Sequence, residues 1–362
     1  MKLDKSLLIT VILLSCFGLM MVYSSSCIWA DYKFHDAFHY VKYQGVFLFI
    51  GMLLLFIFSK IPYQFYYRYA NVILGVSFIL LILVLIPGIG SVRNGSRSWF
   101  GIGSLGIQPS EAAKISLIIF TSKYLSVSGN YVKNYWKGIF PILGVVLLFF
   151  GLIMLQPDLG TGMILFLSVI SILFIAGVDL KFFLGGGLLG VLGIIFLIII
   201  APYRLQRITS FMDPWQDALG TGFQIIQSLY AIGPGGLLGL GYLNSIQKHF
   251  YLPEPQTDFI FSVIAEEFGV VGAVFVVGCF LFLFYRSIQI SSHAPDLFSK
   301  YLSFGIVFQI IFQAMMNLMV VVGLIPVTGV TLPFLSYGGS SLLITLSSMG
   351  ILFNISKYSK IS

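Results

Sequence analysis

The residues best suited to chemistry lie between Tyr251 and Gly269, in the segment YLPEPQTDFIFSVIAEEFG. Pro253 and Pro255 cannot continue a helix, so they favour an extended entry, and Thr257 then predicts an N-cap with Asp258 in the first helical turn. The amides and the dipole at a helix N-terminus favour an ionised carboxylate, which is the state that a general base needs. We therefore predict that Asp258 is the reactive residue of the chain.

Other polar residues follow Asp258 at helical spacing. Asp258, Ser262 and Glu266 recur every four residues, so they would share one stripe of the predicted helix. In a membrane protein such a stripe faces a cavity rather than lipid. A plain capping carboxylate at the water interface is the alternative for Asp258. The additional acids of the segment, among them Glu254 and Glu267, favour a functional site over simple capping.

Composition identifies the class of protein in which this segment lies. Of 362 residues, 58% are hydrophobic and 9% are charged, whereas soluble domains carry about 25% charged residues. The net charge of +7 includes no basic run of the length that nucleic-acid binding requires, so no nucleic-acid partner is expected. The chain is therefore predicted to be an all-α polytopic membrane protein.

Apolar runs long enough to cross a membrane recur along the chain and predict about ten transmembrane helices. They lie at residues 7–23, 44–59, 70–88, 109–125, 138–155, 159–178, 183–201, 260–285, 302–323 and 339–354. Residues 1–362 are predicted to form a single membrane domain, with a large extracytoplasmic loop at about 202–259 between helices 7 and 8. An even number of spans places both termini on one side, and the distribution of Lys and Arg places that side in the cytoplasm.

The 202–259 connection has the composition of a structured element. Its sequence IIQSLYAI is amphipathic at helical spacing. The glycines that follow allow turns and close approach of backbones. These glycines are Gly233, Gly235, Gly236, Gly239 and Gly241.

Further polar clusters are predicted at the same outer face. Arg93, Arg97 and Trp99 precede a helix start at Gln108 and Pro109. Trp99 suits the membrane interface, and the two arginines suit either lipid headgroups or an anionic ligand.

Charged and irregular positions at or just inside the outer membrane boundary give three more candidates. Glu111 and Lys114 lie three residues apart and either neutralise each other or bind a ligand. Asp158, in QPDLGTG, separates two spans with almost no loop. The segment from Pro326 to Ser341, PVTGVTLPFLSYGGSS, breaks any helix, which is tolerated only inside the protein or beside a wet cavity.

Two patterns inside the spans predict helix contacts. Gln309, Gln313 and Asn317 form a polar stripe that lipid would penalise, so it is predicted to face a partner helix, with the cavity or packing inside the bundle as the alternatives. Gly186 and Gly190 predict close packing of the seventh span against another helix.

Six pieces of the chain, in this order, resemble the SEDS family (shape, elongation, division and sporulation) of bacterial wall synthesis. They are GSRSWFGIGSLGIQPSEAAK, QPDLGTG, the stretch from Arg204 to Gly220, QSLYAIGPGG, SIQKHFYLPEPQTDFIFSVIAEEFG and PVTGVTLPFLSYGGSS. The resemblance covers nearly the whole chain. MVYSSS, MDPW, SIQK and YLPEP are more similar to the division and sporulation members than to the elongation members.

The resemblance implies a ten-helix peptidoglycan glycosyltransferase that polymerises lipid II on the outer face of the bacterial cytoplasmic membrane, at the division site. It also implies a class B penicillin-binding protein transpeptidase and other division proteins as partners. The essential aspartate of the family corresponds to Asp258, and Glu254, Lys114 and Asp158 match its other motif residues. Gln256 stands where the family usually has His, and Pro234 stands where it usually has Ser.

Glycan polymerisation requires a base for the acceptor hydroxyl and cations for the departing diphosphate. Asp258 is the predicted base. The predicted substrate-binding residues are Glu254, Lys114, Asp158, Arg204, Arg207, Arg93, Arg97, Glu111, Gln108 and Trp99. A divalent cation, Mg²⁺ or Mn²⁺, is predicted on Asp258 and Glu254. A lipid II flippase and a division scaffold are the alternative functions.

Overall fold

A computed structural model describes residues 4–93, 95–101, 106–128, 135–200, 211–220 and 222–359. These residues are mostly helical, as predicted. In chain order the helices used below are α1 (Lys5–Phe34), α2 (His39–Lys60), α3 (Tyr63–Leu85), α4 (Pro109–Ser128), α5 (Phe140–Met154), α6 (Leu159–Ile175), α7 (Leu180–Ile200), α8 (Phe223–Ile232), α9 (Ile260–Ser292), α10 (Leu297–Val321) and α11 (Gly339–Ser356). An antiparallel hairpin of β1 (Ser91–Arg93) and β2 (Ser96–Trp99) connects α3 to α4.

Within the described ranges, six helices are long and apolar enough to cross a membrane, namely α1, α2, α3, α9, α10 and α11. Shorter apolar helical segments lie at Phe140–Met154, Leu159–Ile175 and Leu180–Gly193. Helix α4 has 20 residues but carries Glu111, Lys114 and Lys123. The chain is therefore a multi-pass, all-α membrane protein. The count of about ten spans and the loop at 202–259 stay predictions.

Several helices are longer than their apolar runs, and α1 shows why. Its start is fixed by Asp4, whose Oδ1 accepts the Leu7 amide at 3.0 Å. At its far end Ser25 and Ser26 donate to main-chain carbonyls one turn earlier, at 2.7 and 2.6 Å. Because these hydroxyl groups donate to carbonyls of α1 itself, the helix continues through polar residues beyond residue 23, where the predicted apolar run ends.

Helices α10 and α11 form the centre of the bundle. Helix α10 packs against α9, α6 and α4, and α11 lies along α2. Helix α7 is different, because its apolar side chains, such as Leu184 and Phe196, are exposed. No described atom lies within 4 Å of a Cβ added at Gly186 or Gly190, so the close packing predicted for these glycines is not present among the described residues.

The polar stripe of α10 faces the inside of the bundle. Gln309, Gln313 and Asn317 are all buried. Gln313 Nε2 donates to Thr331 O at 3.1 Å, and Asn317 Nδ2 donates to Val330 O at 2.8 Å. Carbonyls of irregular backbone need donors when they are buried. The stripe therefore holds the segment between α10 and α11, and its predicted role as a partner surface is wrong.

Helix α9 is interrupted at Gly269, whose φ of +61° is not helical. The amides of Val270 and Val271 donate to the carbonyls of Gly236 and Leu237, at 3.0 and 3.2 Å. An earlier segment of the chain thus supplies acceptors in place of the helix itself. We call this interruption the α9 break.

The same segment also supplies donors to the α9 break. Leu240 N donates to Glu266 O at 2.9 Å, and Gly241 N donates to Glu267 O at 3.0 Å. A Cβ added at Gly239 would lie 2.2 Å from Glu267 O. The close backbone approach predicted from the glycine run is therefore confirmed.

Candidate active site

The loop that carries Asp258 runs from residue 244 to residue 259 and is called the Asp258 loop below. Helix α9 begins at Ile260 with Phe259 as its N-cap, and no side chain caps it. Thr257 Oγ1 donates instead to Glu254 O at 2.8 Å and to Asp258 Oδ1 at 2.5 Å. The prediction of Thr257 as N-cap and Asp258 in the first turn is wrong, because the hydroxyl bonds locally within the turn.

Ser262 and Glu266, which share the predicted stripe with Asp258, contact neighbouring segments among the described residues and not a cavity. Ser262 Oγ lies 2.7 Å from Ser228 Oγ on α8. Glu266 accepts hydrogen bonds from Ser245 Oγ and from the Ile246 amide. Both Ser262 and Glu266 are fully buried, so they hold neighbouring segments in place.

Two hydrogen bonds fix the backbone around Asp258. Asn317 Nδ2 donates to Asp258 O at 2.7 Å, and the Tyr337 amide donates to Gln256 O at 2.7 Å. Glu254 adopts a positive φ of +45°, and its carbonyl accepts the Thr257 amide at 3.1 Å. This turn places the exposed Glu254 and the half-buried Asp258 in one compact unit.

Aromatic residues connect this turn to the β-hairpin. Tyr40 lies near Glu254, and its ring packs edge-on against Tyr337 with centroids 5.0 Å apart. Tyr337 in turn lies near Arg93. The Arg93 guanidinium lies over the Trp99 ring at 4.9 Å. The predicted residues Arg93, Trp99 and Glu254 therefore belong to one site.

The hairpin arginines are suited to an anion. Arg97 Nη1 donates to Leu85 O at 3.4 Å, while Arg97 Nε and Arg93 Nη2 are buried and have no hydrogen-bond acceptor among the described residues. Neither arginine forms a salt bridge within the described part of the chain. Guanidinium groups in this state bind carboxylate or phosphate oxygens strongly.

Lys114 lies deeper, in the wall of the bundle. Its Nζ lies 2.9 Å from Glu111 Oε1 and 2.9 Å from Gln313 Oε1, and the lysine is 1% exposed. Glu111 and Lys114 therefore form an ion pair and neutralise each other, which is one of the two predicted alternatives. Through Gln313, which also holds Thr331, the pair supports the irregular segment that carries Tyr337.

Asp158 and Gln108 join the ends of three helices. Asp158 caps α6 by accepting the Thr161 amide at 3.0 Å, and Gln108 Nε2 donates to Asp158 Oδ2 at 3.0 Å. The Gln108 amide donates to Ser340 Oγ at the start of α11. Desolvation raises the pKa of Asp158, although hydrogen bonds from Thr161 oppose this shift.

The structure tests the remaining predicted residues less directly. Arg204 and Arg207 lie outside the described residues. The described residues contain no group of three or more His, Cys, Asp or Glu side chains placed to hold a metal ion. The pair of Glu254 and Asp258 still fits Mg²⁺, which commonly uses one or two carboxylates together with waters and substrate phosphates.

Sequence reasoning missed several residues of this site. The spacing of Asn317 predicts a polar stripe that avoids lipid, but it does not predict the contact with the Asp258 backbone, which links positions far apart in the chain. Tyr337 lies in a recognised segment without having been singled out. Tyr40 gave no signal, because a tyrosine near the end of an apolar helix is common at membrane interfaces.

Known proteins resemble this chain over nearly its whole length. Residues 4–361 match the family described as cell cycle protein, FtsW/RodA/SpoVE. Stage V sporulation protein E of Bacillus subtilis (strain 168) is 49% identical over 357 residues, which cover 99% of this chain and 98% of that protein. A probable peptidoglycan glycosyltransferase FtsW from Geobacter sp. (strain M18) is 41% identical over 353 residues, which cover 98% of this chain and 96% of that protein.

Solved structures share the fold. A chain of a peptidoglycan synthase complex aligns with a TM-score of 0.82 and 32% identity, over 99% of this chain and 98% of that chain. The rod shape determining protein RodA of Thermus thermophilus aligns with a TM-score of 0.73 and 29% identity, over 100% of this chain and 99% of that chain. The chain therefore belongs to the FtsW/RodA/SpoVE family of cell cycle proteins.

Proposed function

We propose that this protein is a peptidoglycan glycosyltransferase that polymerises lipid II on the outer face of the cytoplasmic membrane. Relatives that match nearly the whole chain carry the name of this activity. The observation that carries the proposal is that Glu254 and Asp258 share one turn, and that the packed rings of Tyr40 and Tyr337 lie between this turn and the hairpin of Arg93 and Arg97. A carboxylate in the same region as guanidinium groups that form no salt bridge with a described residue suits a reaction that takes a proton and releases an anion.

In the proposed reaction, Asp258 takes the proton from the 4-hydroxyl of the acceptor sugar. The acceptor oxygen forms a new bond to the anomeric carbon of the donor sugar. The bond between that carbon and the lipid diphosphate breaks, and the diphosphate leaves with the electron pair. The hydrogen bond from Asn317 to the Asp258 backbone holds the base in position during this step.

The cations of the site receive the diphosphate in this proposal. Arg93 and Arg97 contact its oxygens, and Arg204 and Arg207 are proposed to join them. Trp99 holds Arg93 in place by lying under its guanidinium. Glu111, Lys114, Gln108 and Asp158 form the polar wall behind the substrate. A divalent cation on Glu254 and Asp258 would neutralise part of the diphosphate charge when bound.

The proposed setting is the division site of a bacterial cell, with both termini in the cytoplasm. The similar chain in a solved peptidoglycan synthase complex supports a protein partner. We propose a class B penicillin-binding protein transpeptidase for that role, together with other division proteins.

The test uses purified protein incubated with lipid II, alone and with a transpeptidase, with and without a chelator, followed by analysis of glycan chains. Asp258→Asn should fold normally and lose about 100- to 10,000-fold of the polymerisation rate, because the amide cannot accept the proton. Asp36→Asn, at a partly exposed acid between α1 and α2 that pairs with Lys42, is the matched control and should polymerise normally. Near-normal chains from Asp258→Asn would remove the catalytic assignment, whereas movement of labelled lipid II across vesicles without chain formation would favour a flippase.

A further inference from the structure

A buried charged cluster lies at the start of the Asp258 loop. Lys248 Nζ lies 3.1 Å from Glu267 Oε1 on α9. Ser24 Oγ on α1 donates to the same carboxylate, 2.6 Å from Oε1 and 2.7 Å from Oε2, and lies 3.4 Å from Lys248 Nζ. Lys248 is 3% exposed, and both Ser24 and Glu267 are fully buried. The loop is thereby attached to two membrane helices by one ion pair.

The neighbouring acid attaches the same stretch of loop. Glu266 accepts from Ser245 Oγ at 2.5 Å and from the Ile246 amide at 2.8 Å. Glu267 Oε1 also accepts the Ser245 amide at 3.2 Å. Two consecutive carboxylates of α9 therefore bind residues 245 to 248 of the loop, just before the α9 break.

The loop is held at its other end as well. Asn317 and the Tyr337 amide bind the backbone of Asp258 and Gln256. Between the two anchors, the Leu252 amide donates to Gln247 O at 2.9 Å, and Leu252 is buried. The position of Asp258 thus depends on a short stretch of chain with fixed ends.

A buried ion pair adds little net stability, since desolvation offsets the attraction between its charges, but removal of one partner strands the other charge. Such a pair is better suited to fixing a register than to stabilising a fold. Building on the proposed function, we propose that Lys248 and Glu267 are positioning residues that hold Asp258 at the distance from the acceptor hydroxyl at which the proton is transferred.

The inference predicts a specific kinetic signature. Lys248 and Glu267 are buried and bind each other, so their loss should leave the binding of lipid II nearly unchanged. A displacement of the base of about 1 Å can cost about 100-fold in rate. The effect should therefore appear in kcat and not in KM.

The test compares Lys248→Met, Glu267→Gln and the double variant by kcat, KM and Tm. Each single variant should lose stability and lower kcat by at least about tenfold, with KM within about twofold. The double variant should regain Tm, because no charge is stranded, while its kcat stays at least about tenfold low. A double variant that regains kcat together with Tm, or a single variant with wild-type kcat, would overturn the proposal.

Two further variants complete the design. Ser24→Ala removes one hydroxyl and is expected to fold, so it provides the test if the charge variants do not fold. It should lower kcat by about threefold or more. A wild-type kcat for Ser24→Ala would refute the inference. Asp4→Asn is the matched control, since Asp4 and Arg286 also link α1 to α9, with 2.7 Å between Oδ2 and Nη2, but at the opposite end of the helices. It should keep wild-type kcat.

Absence of glycan chains from the wild type would refute the proposed function, whereas an active wild type with active Lys248 variants refutes this inference alone.

Discussion

Asp158 is a carboxyl that the fold uses both as a helix cap and as a hydrogen-bond acceptor for Gln108. Desolvation raises its pKa, and the nearby charge of Glu111 acts in the same direction, whereas Lys114 acts against it. A raised pKa in the folded state means that folding favours the protonated form. The stability from this group is therefore complete below the unfolded pKa and is lost as pH rises through the folded pKa.

We predict that the Tm of the wild type relative to Asp158→Asn increases as pH falls from about 8 to about 4. The asparagine cannot titrate, so the difference isolates the carboxyl. Thermal unfolding of both proteins in the same detergent across this range measures it. A difference that is constant, or that shrinks as pH falls, would show that folding does not favour the protonated carboxyl.

At the scale of elements, the α9 break depends on the absence of side chains. Gly239 has φ +80°, and an added Cβ would lie 2.2 Å from Glu267 O. A side chain there would separate the 236–241 segment from α9 and break the hydrogen bonds that both share.

We predict that Gly239→Ala destabilises the protein by about 1 to 3 kcal/mol or more, through overpacking and backbone strain. Thermal unfolding in detergent checks this. Gly278→Ala, on α9 and with no described atom within 4 Å of its added Cβ, is the control and should be neutral or stabilising by up to about 1 kcal/mol. Equal Tm values for Gly239→Ala and the wild type would contradict the role given to the break.

Element prediction succeeded where local signals decide structure. The helix over IIQSLYAI, the start of α4 at Pro109 and the irregular backbone after α10 all follow from periodicity, proline and glycine. The start of α9 was mispredicted because Thr257 satisfies its hydroxyl within the preceding turn. The glycine run predicts a close approach of backbones, but the α9 break itself could not be predicted, because the main-chain groups of α9 that meet this run are marked by no residue pattern.

At the scale of the whole molecule, composition was sufficient to predict a multi-pass membrane protein, and the order of the motifs was sufficient to predict its family. The assembly of the site was not predictable in detail. Lys248 and Glu267 come together with Ser24, which lies more than two hundred positions earlier in the chain. Pairing of this kind depends on which helices are neighbours. A membrane span is apolar on nearly every face, so its sequence does not indicate which helix each face contacts.

The topology itself is a prediction that can be measured. Both termini should lie in the cytoplasm and the 202–259 segment outside, because Lys and Arg favour the cytoplasmic side. Reporter fusions at the C-terminus and insertions near residue 220 should give opposite signals. A periplasmic-type signal from the C-terminal fusion would invert the assignment and place Asp258 on the wrong side of the membrane for the proposed reaction.

The α9 break also has a consequence for how the protein is made. At about 1.5 Å per residue, Gly269 lies about 14 Å from the start of α9. Near Gly269 the helix does not form all of its own main-chain hydrogen bonds. Four of its main-chain groups bind residues 236–241, and unsatisfied groups are costly in lipid. Because those residues are synthesised before α9, the groups that complete the helix have left the ribosome before the helix enters the membrane. Insertion of this span thus depends on an earlier segment, and a circular permutant that places 236–241 after α9 would have to insert the helix with these groups unpaired.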